Sequence, residues 1–408
     1  MMTDARIYLD HNGSTPVTPD VSRELHAFLE GYWGNAGAGH PDGLAARAAI
    51  QSARERVAAA IGGNDGRVVF TSGGTESNNM ALFGAAEYQR VNRGRKHIVL
   101  GRHEHLSVVK CGEALAERGF DVTWIEPSAT GAVLPATVEA AVRPDTALVA
   151  LMFANNETGI LQPVREAARC AHDVGALMFV DAVCGAGKVA IDVAAIDCDM
   201  MSLSGHKLHA PKGIGALWMR EGVGVSPLIL GCGQQDGLRS GTENTLGAVA
   251  FGAAMERHAG PAAVPGAELR ALRDELLGGL QSMGLGIVRN GSGPDLPNTF
   301  SAWIPGQSAL DLQVRLGAAG LSVSAQASRP QAGHGPAARA LASGAHSPSH
   351  VLRAMGLSEA RSTESLRFSL GSTTSAPEIQ QALGILESTL SRTHEPSPPQ
   401  PAPAPEIR

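Results

Sequence analysis

Lys207 stands in MSLSGHKLHAPKGIGAL, where an apolar run delivers it into a tight Ser204-Gly205-His206-Lys207 turn with glycines close behind. A lysine amine becomes a nucleophile when burial or a neighbouring cation disfavours its ammonium form, and it can then hold a carbonyl group as a Schiff base. Upstream, ALMFVDAVCGAG reads as a buried parallel strand ending at Asp181. A carboxylate that closes an apolar strand is costly unless it is paired, and a protonated ring nitrogen would pair it. A third element, VVFTSGGTESNNMAL, is a strand running through Thr71-Ser72-Gly73-Gly74-Thr75 into a helical pattern. Its glycines let the backbone approach an anion, the free amides of the helix start point at that anion, and the Thr75 hydroxyl adds a donor. An activated amine, an acid for a pyridine nitrogen and a phosphate turn are together the requirements of pyridoxal phosphate.

Such residues come together only if a sheet delivers them to one end. From about Val68 to Leu217, apolar strand patterns alternate with longer Ala-rich helical patterns, as in a mostly parallel sheet covered on both faces. VVF, HIVL, DVTWI, LVALMF, ALMFV, MMSL and GALWM are the candidate strands, and GAVAFGAAMERHA reads as the helix leading out of this large domain. From about Pro261 the pattern changes to helix, strand and hairpin and closes in APEIQQALGILESTL. The expected organisation is an α/β large domain over 1–262 with its N-terminal segment, a smaller α+β domain over 263–392, and a disordered proline-rich tail over 393–408.

Composition narrows the class. A chain of 408 residues with 43% hydrophobic content can bury a large core and is long enough for two domains. Its net charge of -6, with no basic run, argues against a nucleic-acid surface. The N-terminus MMTDARIYLD has no apolar signal core, and no stretch reaches the roughly 20 apolar residues of a membrane span. Five cysteines without paired spacing suit a reducing cytoplasm and show no metal-ligand pattern.

From about Tyr8 to Gly371 the chain resembles the cysteine desulfurases, within the class V aminotransferase group of fold-type I pyridoxal-phosphate enzymes. The matching stretches are YLDHNGSTPV, the GN of GNAGAGH, VVFTSGGTESNN, the His105 of GRHEH, ANNETG, VDAVCGAG, LSGHKLHAPKGIGAL, GLRSGTEN, LPNTF, SHVLRAMG and SLRFSLG. The resemblance implies that Lys207 carries the cofactor, that Asp181 pairs with its pyridine nitrogen, and that His105 stacks on the ring and can relay protons. It implies a phosphate cup of Gly74, Thr75, Ser204 and His206, with Thr242 reaching in from a second subunit of a homodimer. Asn156 resembles the residue that bonds the cofactor's phenolic oxygen. Arg367 resembles the one that grips the substrate carboxylate, with Asn35 also on the substrate side. A guanidinium fork suits a carboxylate bidentately, so an amino-acid or keto-acid substrate is expected.

The departures from that pattern concern sulfur. Cysteine desulfurases carry a mobile-loop cysteine whose thiolate attacks the substrate sulfur, yet Ser324 to Ser349 contains no cysteine. Counting from the strand LSVSAQAS puts Arg329 at the lost position, and counting back from SPSHVLRAMG puts Leu341 there, so the segment is also longer than the simple pattern. Hydroxyls at Ser324, Ser328 or Ser343 cannot carry sulfur as a persulfide. His334 and His346 read as acid-base groups or as solvated loop histidines.

Two thiols stand elsewhere. Cys184 occupies the place of a glutamine expected at the phenolic oxygen, and Cys232 interrupts the glycines of LILGCGQQDGLRSGTEN near the expected dimer interface. Further changes gather around the same site: Gly13-Ser14-Thr15 for Ala-Thr-Thr, GNAGAGH for GN-Pro-Ser-Ser, and Gln235-Asp236 for Glu-Arg. Three readings compete. One is an enzyme acting at the beta carbon of cysteine or a relative, either a thiol-independent lyase or a desulfurase using a displaced or partner thiol, with a sulfur-acceptor protein. Another is a transaminase or racemase on the same fold. The last is a catalytically silent partner subunit.

Overall fold

The computed structural model describes residues 6–31, 33–258, 266–326 and 347–391. The expected domain boundary at 262/263 and the expected tail at 393–408 fall outside these. The chain opens on a short strand, β1 (Ile7–Tyr8), and then builds a seven-stranded sheet. Its strands are β2 (Gly66–Thr71), β3 (His97–Gly101), β4 (Asp121–Ile125), β5 (Thr146–Ala150), β6 (Leu177–Asp181), β7 (Met200–Ser204) and β8 (Gly215–Arg220). The spatial order is β2-β8-β7-β6-β5-β3-β4. All neighbours are parallel except β8, which runs antiparallel to both β2 and β7. These are the seven strands expected from the sequence, although the apolar run of β5 leaves the sheet after Ala150 instead of continuing to Phe153.

The unbroken apolar runs follow from cover on both faces. Every residue of β3, β5 and β7 is buried, whereas the edge strand β4 buries only Ile125 fully. One face packs beneath the helices Pro41–Ala60, Val164–Asp173 and Thr245–Glu256, around Val149, Val180, Met201 and Phe251. The other packs beneath the helices Gly74–Arg93 and Leu106–Glu117, around Leu82, Ile98, Leu148 and Phe179. Each fully buried Val, Leu or Phe side chain contributes about 1.5–3 kcal/mol. Helix Thr245–Glu256 is buried from Gly247 to Met255, and it can lie this deep because its small residues admit a neighbouring backbone. A Cβ at Gly252 would stand 2.9 Å from Ala53 Cα.

The rest of the described chain forms a second core. Strands β9 (Val288–Asn290), β10 (Thr299–Trp303), β11 (Leu321–Ser322), β12 (Ser324–Ala325) and β13 (Ser365–Ser369) follow the helix Gly266–Ser282. Four of them make an antiparallel sheet in the order β12-β13-β10-β9, with Ser301 opposite Arg367. Phe300 and Phe368 stack at 4.9 Å between ring centres under the closing helix Ala376–Ser391. The N-terminal segment joins the two parts: β1 pairs in parallel with β11, and Asp10 bridges to Ser369. Residues 10–15 therefore run between β13 and the turn that carries Lys207, where Thr15 N donates to His206 O at 2.8 Å.

Candidate active site

In a parallel sheet, ligands bind beyond the carboxyl ends of the strands. There β6 delivers Asp181, β7 delivers Ser204, and the 3-10 turn Gly205–Lys207 swings the lysine back over both. Pairing of Asp181 with Ser202 fixes the relative height of the two strand ends. A cavity of about 590 Å³ opens at this edge, and its lining includes Gly74, Thr75, His105, Asn156, Asp181, Ser204, His206, Lys207 and Arg367. The other two expected site residues lie outside that lining. Asn35 Oδ1 accepts from Gly37 N at 2.9 Å, so its side chain closes a local turn, and Thr242 is exposed.

Lys207 Nζ donates to the carbonyls of Asn12 and Gly13, the latter at 2.9 Å. Burial pushes its basicity down; Arg367 adds to that, while Cys184, Asp10 and Asp181 oppose it. Asp181 is held from two sides: its Oδ2 accepts from Asn78 Nδ2 at 2.7 Å and its Oδ1 from Val183 N at 2.9 Å. Beside it, burial and then the Asp181 charge raise the Glu104 carboxyl well above the usual range, while Met152 N donates to its Oε1 at 2.6 Å. His105 caps the helix Leu106–Glu117: its Nδ1 accepts from Ser107 N at 3.2 Å and pairs with Ser107 Oγ at 2.7 Å. Dense surroundings lower its pKa against the pull of Asp181, leaving a neutral imidazole with Nε2 uncommitted to that cap.

The phosphate turn owes its shape to glycine. Gly73 precedes the helix Gly74–Arg93 at φ 153°, ψ -178°, a conformation that side-chain-bearing residues rarely adopt, and it offers no side-chain cap to the first helical amides. Ser204 Oγ, Asn78 Oδ1 and Asn156 Oδ1 are buried without a hydrogen-bond partner. His206 completes this side; burial, then Lys207, lower its pKa to about 4. Unfilled amides and a lone hydroxyl suit phosphate oxygens, a carboxylate suits a pyridinium, and a depressed lysine suits an aldehyde. The residues present therefore fit pyridoxal phosphate.

Arg367, on β13, is 8% exposed, and its fork is already engaged. Nη2 donates to Asp10 Oδ1 at 2.6 Å and Nη1 to Asn156 O at 3.1 Å, while Nε is buried without a partner. Among the cysteines, Cys184 lines the cavity and is buried, whereas Cys232 is exposed and does not line it. Of the segment in which the family pattern places a thiol, Ser324 lies on β12, while Ser328, Arg329, His334, Leu341, Ser343 and His346 lie outside the described residues. Its flanks are pinned to one atom: Gln326 Nε2 and Ser349 Oγ both donate to Glu157 Oε2, at 3.3 and 2.5 Å.

Sequence reasoning missed Asn12, Asn78 and Met152 on the cavity wall. Asn78 carried a local signal, since it follows Gly74 by four residues and so shares its face of the helix. Asn12 carried none, because its partners Asn156 and Thr299 are distant in sequence.

Comparison with known proteins agrees with this geometry. The family model for aminotransferase class V matches residues 7–382. Cysteine desulfurase IscS of Anaeromyxobacter dehalogenans is 36% identical over 403 residues, covering 96% of this chain and 94% of that protein. Cysteine desulfurase 2 of Trichormus variabilis is 37% identical over 399 residues, covering 96% and 95%. A solved NifS-like protein superposes with a TM-score of 0.85 at 32% identity, over 95% of this chain and 100% of that one. DndA from Streptomyces lividans does so with a TM-score of 0.72 at 35% identity, over 87% and 97%. With that extent of matching, and a cavity furnished for the cofactor, the chain belongs to the class V aminotransferase family as a pyridoxal-phosphate-dependent, cysteine desulfurase-like enzyme.

Proposed function

We propose that this enzyme acts on L-cysteine or a close relative and breaks the C-S bond at the beta carbon without a thiol from the 324–349 segment. One observation carries the reading: Lys207, Asp181 and Arg367 line a single cavity, while the segment that bears the thiol in the family pattern has no cysteine. The bound cofactor supplies an electron sink for charge developing at the substrate's alpha carbon. Asp181, oriented by Asn78 and Val183 N, holds the proton on the pyridine nitrogen. The amides of Gly74 and Thr75, with Ser204 Oγ and His206, would hold the phosphate, and the unpartnered Asn156 Oδ1 would bond the phenolic oxygen. Arg367 receives the substrate carboxylate, sharing its fork with Asp10. Lys207 Nζ would take the proton from the substrate's alpha carbon, and His105 Nε2 would shuttle protons at the substrate amine.

Departure of the sulfur substituent from the beta carbon then gives, after hydrolysis, pyruvate, ammonia and the released thiol or sulfide. No protein nucleophile is consumed. A persulfide route to alanine would require Cys184, Cys232 or a partner's thiol, with a sulfur-acceptor protein to clear it. The exposed Thr242 and the cup it would complete support a homodimer in which Thr242 serves the partner's site. The free cysteines suit a reducing cytoplasm, and no described helix is long and apolar enough to cross a membrane.

The deciding experiment is mass-spectrometric analysis of the carbon product from L-cysteine, using cofactor-loaded protein without added thiols. Pyruvate supports this reading, and alanine turns it into a desulfurase with a displaced thiol, to be traced with Cys184→Ala and Cys232→Ala. Neither product moves the substrate away from cysteine and favours a transaminase or racemase. A loaded parent with no Schiff-base absorbance for Lys207→Ala to abolish, and with no turnover, would favour the silent subunit.

A further inference from the structure

A second buried lysine lies behind the first. Lys188, only 7% exposed, donates from Nζ to Asn12 Oδ1 at 2.9 Å and to Cys184 O at 3.0 Å. Both acceptors are neutral amide oxygens, so this ammonium is buried with hydrogen bonds but on no carboxylate. Such a placement is costly and calls for a reason. Asn12 supplies one. Its side-chain oxygen holds Lys188 while its main-chain oxygen accepts from Lys207 Nζ, so a single residue is clasped by both amines. Asn12 is fixed on its other sides, with Nδ2 donating to Thr299 Oγ1 at 3.0 Å and N donating to Ser369 Oγ at 2.9 Å.

We propose that Lys188 is a positioning residue for Lys207: through Asn12 it fixes where the Lys207 amine rests, and its charge keeps that amine free to react. The inference rests on the reading of Lys207 as the cofactor-bearing amine. The groups facing Lys188 come from every neighbouring element. Cys184 lies on its own turn, Lys207 and His206 follow β7, and Arg367 comes from β13. His11, His209 and His258 close the far side. All three histidines are shifted down, first by burial, so Lys188, Lys207 and Arg367 are the cations of the cluster at neutral pH. Burial, with Lys207 and Arg367 adding to it and Cys184 opposing, lowers Lys188 to about 8. Like charges in one pocket disfavour each other's protons. The repulsion is mutual, so while both amines are protonated each favours loss of the other's proton.

The test compares Lys188→Met, Lys188→Arg and Asn12→Ala with the parent, using two readouts. One is the pH dependence of the visible absorbance of the loaded enzyme, and the other is the pH dependence of Lys207 acetylation in the cofactor-free full chain, mapped by peptide mass spectrometry. Replacing Lys188 by Met is expected to raise the Lys207 midpoint by about one pH unit, a tenfold change in free amine. The Arg variant, which keeps the cation, is expected to restore the low midpoint, and Asn12→Ala to fall between. In the parent, Lys207 is expected to titrate over a broader range than a single site, because two coupled amines share the proton. A Met variant that melts earlier with an unmoved Lys207 midpoint would make Lys188 a structural brace and overturn the proposal. If the Met variant does not fold, a single-site Lys207 curve in the parent overturns it just as well. Acetylation is read in the cofactor-free chain, independently of which residue takes up cofactor, so a failure here is distinct from a failure of the functional reading.

Discussion

On the wall built from the ends of β6 and β7, Ser204 Oγ and the nearby Asn78 Oδ1 are buried with nothing bonded to them, whereas on the wall contributed by β13 Arg367 already donates to Asp10 and to a carbonyl. The first wall has open positions that only an incoming group fills. The second holds a cation that is neutralised before any substrate arrives. Cofactor binding can therefore be strongly favourable because it satisfies groups the fold leaves wanting. With Arg367 as the proposed carboxylate site, substrate binding would be an exchange in which the carboxylate shares the guanidinium with Asp10, which favours reversible capture.

The sharpest way to break this contrast is Lys207→Ala, which leaves the cup intact but removes the amine. Covalent attachment and the Schiff-base absorbance band are expected to vanish and turnover to fall by at least about 10³-fold, while phosphate-bearing cofactor still raises the melting temperature through the open cup. If loading then gives no thermal shift, the cup contributes nothing by itself. Next is Arg367→Ala. The loss of a charge-assisted fork is expected to cost about 10- to 100-fold in kcat/KM, mostly through KM, with cofactor absorbance unchanged. Asp10→Asn should act in the opposite direction: by freeing the fork it is expected to lower KM about threefold, and an unchanged or raised KM would show that Asp10 orients Arg367 instead of competing for it.

Acid should affect both walls together. His11, behind the N-terminal segment, and His206, in the cup, each sit near 4 because burial opposes their protonation, and His258 does likewise. In the unfolded chain they take up protons near their ordinary value of about 6.5. Stability is therefore fully present above that value and is lost as the pH falls from about 6.5 to 4, which a series of thermal melts would trace. The smallest effect is expected from Cys232→Ser, at an exposed position away from the cavity. Unchanged products and rates would confine any displaced thiol chemistry to Cys184 or a partner's thiol.

Legibility in the sequence followed the range of the interactions. The large sheet could be read because each strand is an apolar run under local turn signals, and Asp181 and Lys207 stood out as charges at the ends of such runs. The strand-to-helix turn at Gly73-Gly74-Thr75 was readable for the same reason, since its glycines and Thr75 are contiguous. What could not be read is the traffic between Asn12, Lys188 and Lys207, or Arg367 with Asp10. Those contacts join residues more than 170 positions apart, and no periodicity records them. Asn35, matched by motif, lies outside the cavity lining, with its Oδ1 accepting from Gly37 N.

One oxygen atom has a consequence for engineering. Glu157 Oε2 accepts from Gln326 on one side and from Ser349 on the other, so the described chain is fixed on both flanks of residues 327–346. A stretch bounded in this way is a natural cassette. Exchanging residues 327–346 for a shorter cysteine-bearing sequence leaves both flanks in place, and the chain becomes a host in which persulfide chemistry can be installed and compared with its native reaction on one and the same scaffold.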